Sequence, residues 1–276
     1  MEKLKLQKLL FLFSNLQEKP DFHFIPYKFG CYSFRANADL LTMTKYKQVE
    51  DESKHWLKID KYDYTNKLKK QDKQILLRIK NDYGNMSLNK LMKFVYTNYP
   101  YFAINSLKAE SLLNNKEYRE VINEKPNSNN VILYTISYEG ISIEEYLNRL
   151  IRNDIKVLCD VRKNPVSMKY GFSKKQLSYY CEQLNIAYLH FPELGINSNK
   201  RQSLIDQSDY DLLFEDYKEN TLTKTRESQL QLLELLRMKK RIALTCFESD
   251  TSRCHRTHLA NSLKTFHNWK YQVKHI

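Results

Sequence analysis

The stretch VILYTISYEG, residues 131–140, decides the fold. Its opening run, VILYTIS, is rich in β-branched, aromatic and aliphatic residues and carries no charge. Alternation would mark a strand with one wet face; its absence predicts a strand covered on both faces, as in parallel sheets. A polar turn follows, then IEEYLNRLIRND (143–154), whose apolar residues recur at helical spacing. The rhythm repeats outward along the chain. IKVLCDV (155–161), IAYLHFP (186–192), RIALTCF (241–247) and YQVKHI (271–276) read as strands. SKKQLSYYCEQLN (173–185), ESQLQLLELLRMKK (227–240) and CHRTHLANSLKTF (254–266) read as the helices between them. Strands alternating with helices predict an α/β domain on a mainly parallel sheet.

Upstream, NEKPNSNN (123–130) is polar, holds a proline and reads as a linker. It separates residues 1–125 from an α/β domain over 131–276. The first segment is mostly helical by pattern: Leu6, Leu9, Leu10 and Phe13 share a helix face, and Ser87 caps a helix that Pro100 stops. FHFIPYKFGCYSF (22–34) is an aromatic segment with a turn, and KHWLKIDKY (54–62) reads as a strand, half of a small wing. Helices plus a short β element predict a winged-helix-like module. Asn37 is the expected cap of a helix over 37–50, and Gly84 the end of another.

Net charge is +13, with 23 basic against 15 acidic residues in 1–130. A basic surface favours polyanions, so nucleic acid, DNA ahead of RNA, is the expected partner. A lysine-rich compositional bias is the competing explanation. The longest apolar runs fall far short of the roughly 20 residues a membrane span needs. Lysines at helical spacing and the lack of a small-residue cleavage site argue against a signal peptide at the start. Five cysteines in an odd, thin distribution fit a reducing compartment. A cytoplasmic protein, off the membrane, is therefore expected, and a homodimer is left open.

Ligands of open α/β sheets bind at the carboxyl ends of the strands. The unusual residues gather there: SYEG (137–140), DVRKNP (160–165), PELG (192–195) and CFESD (246–250). Together with the C-H-R of 254–256, these motifs resemble the DUF488 family in order and content across 131–276. One departure is Ser137, where that family commonly has glycine, leaving less room for a backbone approach to a ligand. The first segment resembles more weakly the helical region of longer members. Its KLQKLLFLF and IPYKFGCYSF are also similar to the Panacea domain. The resemblance implies a Rossmann-like sheet with helices on both faces and nucleotide chemistry at the rim.

The residues suggest what that chemistry is. Asp160 and Arg162, two apart, share a strand face. The carboxylate suits a general base or a sugar contact and the guanidinium a phosphate, unless they simply pair with each other. Glu248 shares a face with Cys246, while Phe247 points away, and a glutamate in a cleft suits acid–base work. With Thr251 or Ser252 as cap, Cys254, His255 and Arg256 occupy a helix first turn. There an anion is favoured, the Cys254 thiol is activated and His255 can carry a proton. Tyr138, Glu139, Tyr170, Lys174 and Glu193 are expected ligand contacts, with aromatics and lysines interleaved as in nucleic-acid binders. Cys246, Cys254, His255 and His258 are weighed as metal ligands and set aside, because no C-x-x-C pair occurs and adjacent residues diverge on a helix. No metal or cofactor is expected. The leading expectation is a metal-independent, DNA-glycosylase-like hydrolase with Asp160, Glu248 and His255 as catalytic groups. A non-catalytic nucleotide-binding regulator and a small-nucleotide enzyme are the alternatives.

Overall fold

The structure is a computed structural model that describes residues 1–201 and 204–276. The chain forms two compact units, Met1–Lys125 and Pro126–Ile276.

The first unit is helical with two small antiparallel hairpins. Its order is α1 (Lys3–Leu16), β1 (Ile25–Tyr27), β2 (Gly30–Tyr32), α2 (Phe34–Lys45), β3 (Val49–Glu52), β4 (His55–Lys58), α3 (Lys70–Tyr83), α4 (Leu88–Asn98), α5 (Ala109–Leu112) and α6 (Asn115–Asn123). α2 begins earlier than the sequence suggested, because Ser33, not Asn37, caps it: the Ser33 hydroxyl accepts the Ala36 N–H. It also ends at Lys45, since Lys47 turns with φ 54° into β3. Ser87 caps α4 as expected.

The second unit runs β5 (Ile132–Ser137), α7 (Ile143–Arg152), β6 (Val157–Asp160), α8 (Lys174–Gln183), β7 (Ala187–His190), α9 (Gln207–Asp216), α10 (Arg226–Lys239), β8 (Arg241–Cys246), α11 (His255–Lys264) and β9 (Gln272–His275). The strands form one five-stranded sheet in the order β7-β6-β8-β5-β9, and every pairing is parallel. The mainly parallel α/β sheet read from the sequence is what forms. Burial explains its layout. Every residue of β5, β6 and β8 is buried, so these strands are covered on both faces. β7 alternates between exposed and half-buried positions, which suits an edge.

One face of the sheet carries the larger core: Leu133, Cys159, Ile242 and Leu244 pack with Leu213 and Phe214 of α9, Leu232 and Leu236 of α10, and Leu259 and Leu263 of α11. On the other face α7 is pinned by Tyr146, whose hydroxyl donates to Thr245 Oγ1 at 2.8 Å. α7 starts where it does because Ser142 and Glu145 form a capping box, each side chain accepting the other's backbone N–H. Because β8 enters between β5 and β6, the carboxyl ends of these three strands lie side by side, a switch point at which such sheets bind ligands.

The glycine of PELG has a steric reason. A Cβ on Gly195 would lie 2.1 Å from Lys163 N and 2.8 Å from Arg162 C, both backbone atoms. The loop after β7 therefore rests directly on the loop after β6. Gly195→Ala is expected to displace that backbone and destabilise the unit by about 1–3 kcal/mol. Urea unfolding of the two proteins checks it; equal midpoints would contradict the close approach.

Candidate functional site

Around the ends of β5, β6 and β8 lies a cavity of about 360 Å³, lined among others by Tyr138, Arg162, Lys163, Phe247, Glu248 and His255. That size falls within the range for small-ligand sites. The loops after β5, β6 and β8 build most of it, with Ile196 from the loop after β7, and each of the three is anchored by a buried polar contact.

The loop after β6 is organised by Asp160 and Arg162. Asp160 is fully buried. Its Oδ1 accepts from the Arg162 backbone N–H at 3.1 Å and from Nε at 2.9 Å. Its Oδ2 accepts from the other arm of the guanidinium at 2.5 Å and from the Tyr188 hydroxyl at 2.6 Å. The remaining guanidinium nitrogen donates to Tyr138 Oη at 2.8 Å and to the Phe172 carbonyl at 2.9 Å. These contacts argue against Asp160 as a general base: its oxygens accept from Arg162 and Tyr188, and it does not line the cavity. Arg162 is held rigidly as part of the cavity wall.

The loop after β5 places Tyr138 against Phe172, the rings stacked with centroids 4.4 Å apart. Burial pushes the Tyr138 phenol up from its usual range, against the pull of Arg162. Lys169 donates to the Tyr138 carbonyl at 2.7 Å, adding a cation beside the cavity. Glu139 does not line the cavity. Its carboxylate accepts the Ser249 N–H at 2.7 Å and the Ser249 hydroxyl at 2.8 Å, tying the β5 and β8 loops together. Those bonds, the backbone one first, hold the Glu139 pKa below its ordinary value of 4.5. The tie is therefore complete above the ordinary glutamate pKa and is lost as pH falls through the lowered folded value. The Ser249 amide shift, followed by NMR on acidification, is expected to titrate with a midpoint below 4.5. A midpoint at or above that value would show the tie absent in solution.

The loop after β8 and the start of α11 bring Cys246, Glu248, Cys254 and His255 together. Cys246 Sγ lies 3.0 Å from Glu248 Oε2 and 3.5 Å from His255 Nδ1. His255 Nε2 is 3.0 Å from the Val161 carbonyl, which can only accept, so Nε2 donates there and Nδ1 is the nitrogen that faces Cys246. Here the structure corrects several expectations. α11 begins at His255, and Cys254 precedes it in extended conformation (φ −127°, ψ 127°). Neither Thr251 nor Ser252 caps α11: both lie in the short turn before it, which Asp250 caps, and the N-cap position of α11 is Cys254, with no side-chain cap. Cys254 and His255 thus do not diverge as helical neighbours would. Ligand atoms of Cys246, Glu248, Cys254 and His255 all lie within 4.8 Å of one another, so the spacing argument against a metal does not hold. His258 is no part of the group; its ring lies 4.2 Å from that of Phe214. The Cys254 thiol is not activated by the helix either: burial, then Cys246, pushes its pKa up.

Arg256, expected as a fork for phosphate, is 2% exposed. It donates inward, to the Glu248 carbonyl at 2.6 Å and to Cys254 Sγ at 3.2 Å. Three further expected contacts lie off the cavity. The Tyr170 hydroxyl meets that of Tyr180 at 2.9 Å, Lys174 Nζ lies 3.1 Å from His190 Nδ1, and Glu193 lines a neighbouring cavity of about 330 Å³. Conversely, Phe247 lines the cavity and meets the Tyr138 ring edge-on at 5.3 Å. Strand alternation stops at Cys246, so the reasoning that turned Phe247 away ended one residue too late. Sequence reasoning also missed Lys163, Lys169 and Tyr188, and gave Cys246 no role. Its adjacency to Glu248 in C-F-E was the available signal.

Residues 142–263 match the family described as Domain of unknown function DUF488. The segment is a DUF488 domain. It spans α7 to α11 and so contains Arg162, Cys246, Glu248, Cys254 and His255. Comparison with curated proteins and with solved structures gave no match. Neither unit has a helix long and apolar enough to cross a membrane among the described residues.

Proposed function

We propose that the DUF488 domain is a hydrolase acting on a nucleotide of a nucleic acid, DNA ahead of RNA, with an N-glycosidic bond as its target. One observation carries this reading: Glu248, the cation Lys163 and the aromatic Tyr138 and Phe247 converge on a single small cavity whose wall Arg162, paired with Asp160, helps to build. A flipped-out base needs such a pocket, with an aromatic wall to stack on and cations near the phosphates. Phe247 is 44% exposed and is the ring available to a base, since Phe172 covers one face of Tyr138.

Glu248 takes a proton from water as the water oxygen bonds to C1′ of the sugar. The C1′–N bond breaks, its electron pair stays on the base, and the proton passes through Glu248 to that nitrogen. Water is thus added across the bond and nothing is oxidised or reduced. Asp160 holds Arg162 in place and takes no proton. The basic first segment, with its lysine surplus, supplies attraction for the polymer.

Abasic sites are the product of this reaction. DNA carrying a panel of modified bases, incubated with the full chain and then treated with alkali, is expected to break at the modified positions. Strands that stay intact across the panel would contradict the reading. The competing view, a non-catalytic nucleotide sensor, predicts tight binding with no breakage.

A further inference from the structure

The reactive cluster behind the cavity has a geometry that the proposed hydrolysis does not use. We propose that Cys246, Cys254 and His255 bind one zinc ion, with the fourth coordination position open to the cavity beside Glu248.

The distances fit first. Zinc–sulfur bonds of about 2.3 Å and zinc–nitrogen bonds of about 2.0–2.1 Å in a tetrahedron put sulfur and nitrogen about 3.5 Å apart. Cys246 Sγ and His255 Nδ1 lie 3.5 Å apart, and the donor atoms of Cys254 and Glu248 complete a group within 4.8 Å. Small rotations about the side-chain bonds suffice to bring such atoms onto one ion.

The surroundings fit as well. A ligating histidine almost always donates its other ring N–H to a carbonyl or carboxylate, which fixes its tautomer. His255 Nε2 does this with the Val161 carbonyl at 3.0 Å, leaving Nδ1 to face the cysteines. Arg256 supports the second sulfur, 3.2 Å from Cys254 Sγ, and anchors the Glu248 carbonyl at 2.6 Å. Its charge favours a thiolate there. Two thiolates and a neutral imidazole balance a divalent ion, and the two thiol protons leave to solvent. Such soft donors select zinc over magnesium or calcium.

Access decides the type of site. Cys246, Glu248 and His255 line the cavity, whereas Cys254 is wholly buried behind it. A metal among these groups therefore presents its free position to the ligand space. Three protein ligands and an open position characterise catalytic zinc, which lowers the pKa of bound water to about 7. Glu248, whose Oε2 lies 3.0 Å from Cys246 Sγ, is the carboxylate next to that position. The other cysteines, Cys31, Cys159 and Cys181, are buried and belong to no metal-ligating group among the described residues.

Zinc binding does not depend on the reaction being N-glycosidic, and metal content is measured apart from base release, so either can fail alone. The full chain, stripped with chelator and titrated with Zn²⁺ against a chromophoric competitor, is expected to take up one ion per chain. Co²⁺ in its place should give the intense visible bands of a tetrahedral ion with thiolate charge transfer. Cys246→Ser and Cys254→Ser should each weaken Zn²⁺ binding at least tenfold, while Cys181→Ala should not change it. Should a serine variant fail to fold, the cobalt spectrum of the unmodified protein still decides. A folded protein that takes up no zinc, cobalt bands without thiolate character, or zinc retained at full affinity by the Cys246→Ser/Cys254→Ser double variant would each overturn the assignment.

Discussion

Arg162→Met is expected to destabilise the C-terminal unit by about 3–5 kcal/mol, the cost of leaving one partner of a buried ion pair alone. Asp160 is fully buried and Arg162 is 6% exposed, so water does not replace the lost guanidinium. The substitution strips Asp160 of two of its donors and leaves it the Arg162 backbone N–H and the Tyr188 hydroxyl. The Phe172 carbonyl and the Tyr138 hydroxyl lose their donor too. Against the roughly 5–15 kcal/mol of a typical domain, such a loss is large. The double variant Asp160→Asn/Arg162→Met removes the stranded charge and should recover part of the stability, since an unpaired group costs more than a missing pair. Urea unfolding gives both values. A loss below about 1 kcal/mol for the single variant would place the pair in the class of solvent-screened surface bridges.

Glu248→Gln is expected to lower the single-turnover rate of base release by about 10²–10⁴, the usual worth of a positioned acid–base group. Glutamine keeps the size of the side chain and can still meet Cys246, so the cavity keeps its form. DNA affinity, measured by fluorescence anisotropy, should stay within a factor of a few. A rate loss with unchanged affinity separates a group acting in the transition state from one that binds the ground state. A fall of less than tenfold in rate would remove Glu248 from the chemistry, and an equal fall in affinity would make it a binding residue.

The fold of the second unit was legible because its decisive signal is local. The central strands VILYTIS and RIALTCF are uninterrupted apolar runs, and sheets buried on both faces need such runs. The strand order was not legible: nothing in RIALTCF says that it inserts between β5 and β6. In the first unit the cap of α2 was misplaced, because Ser33 and Asn37 are both good caps and only the chain path chooses between them.

At the site, the sequence marked the strand ends and the loops but not the directions of the side chains. Asp160 and Arg162 share a face, as spacing required, yet burial turned them toward each other. Treating Cys254 as helical sent it away from His255; one extended residue before α11 reverses that and makes the cluster. Arg256 sits in a first turn open to anions on paper, but its partners are inside. Phe247 was misdirected because strand alternation ends at Cys246, and Lys169 was missed because nothing in the 168–180 stretch sets it apart from Lys174 and Lys175. Composition gave cations but not their places around the cavity.

We propose that the cavity at the ends of β5, β6 and β8 hydrolyses a base from its sugar through Glu248. Mass spectrometry of both fractions after incubation with base-modified DNA tests it most directly. An unaltered free base and an abasic strand are expected with the full chain, and neither with Glu248→Gln. A base changed in mass while still attached to its sugar, or no free base from any substrate, would contradict it.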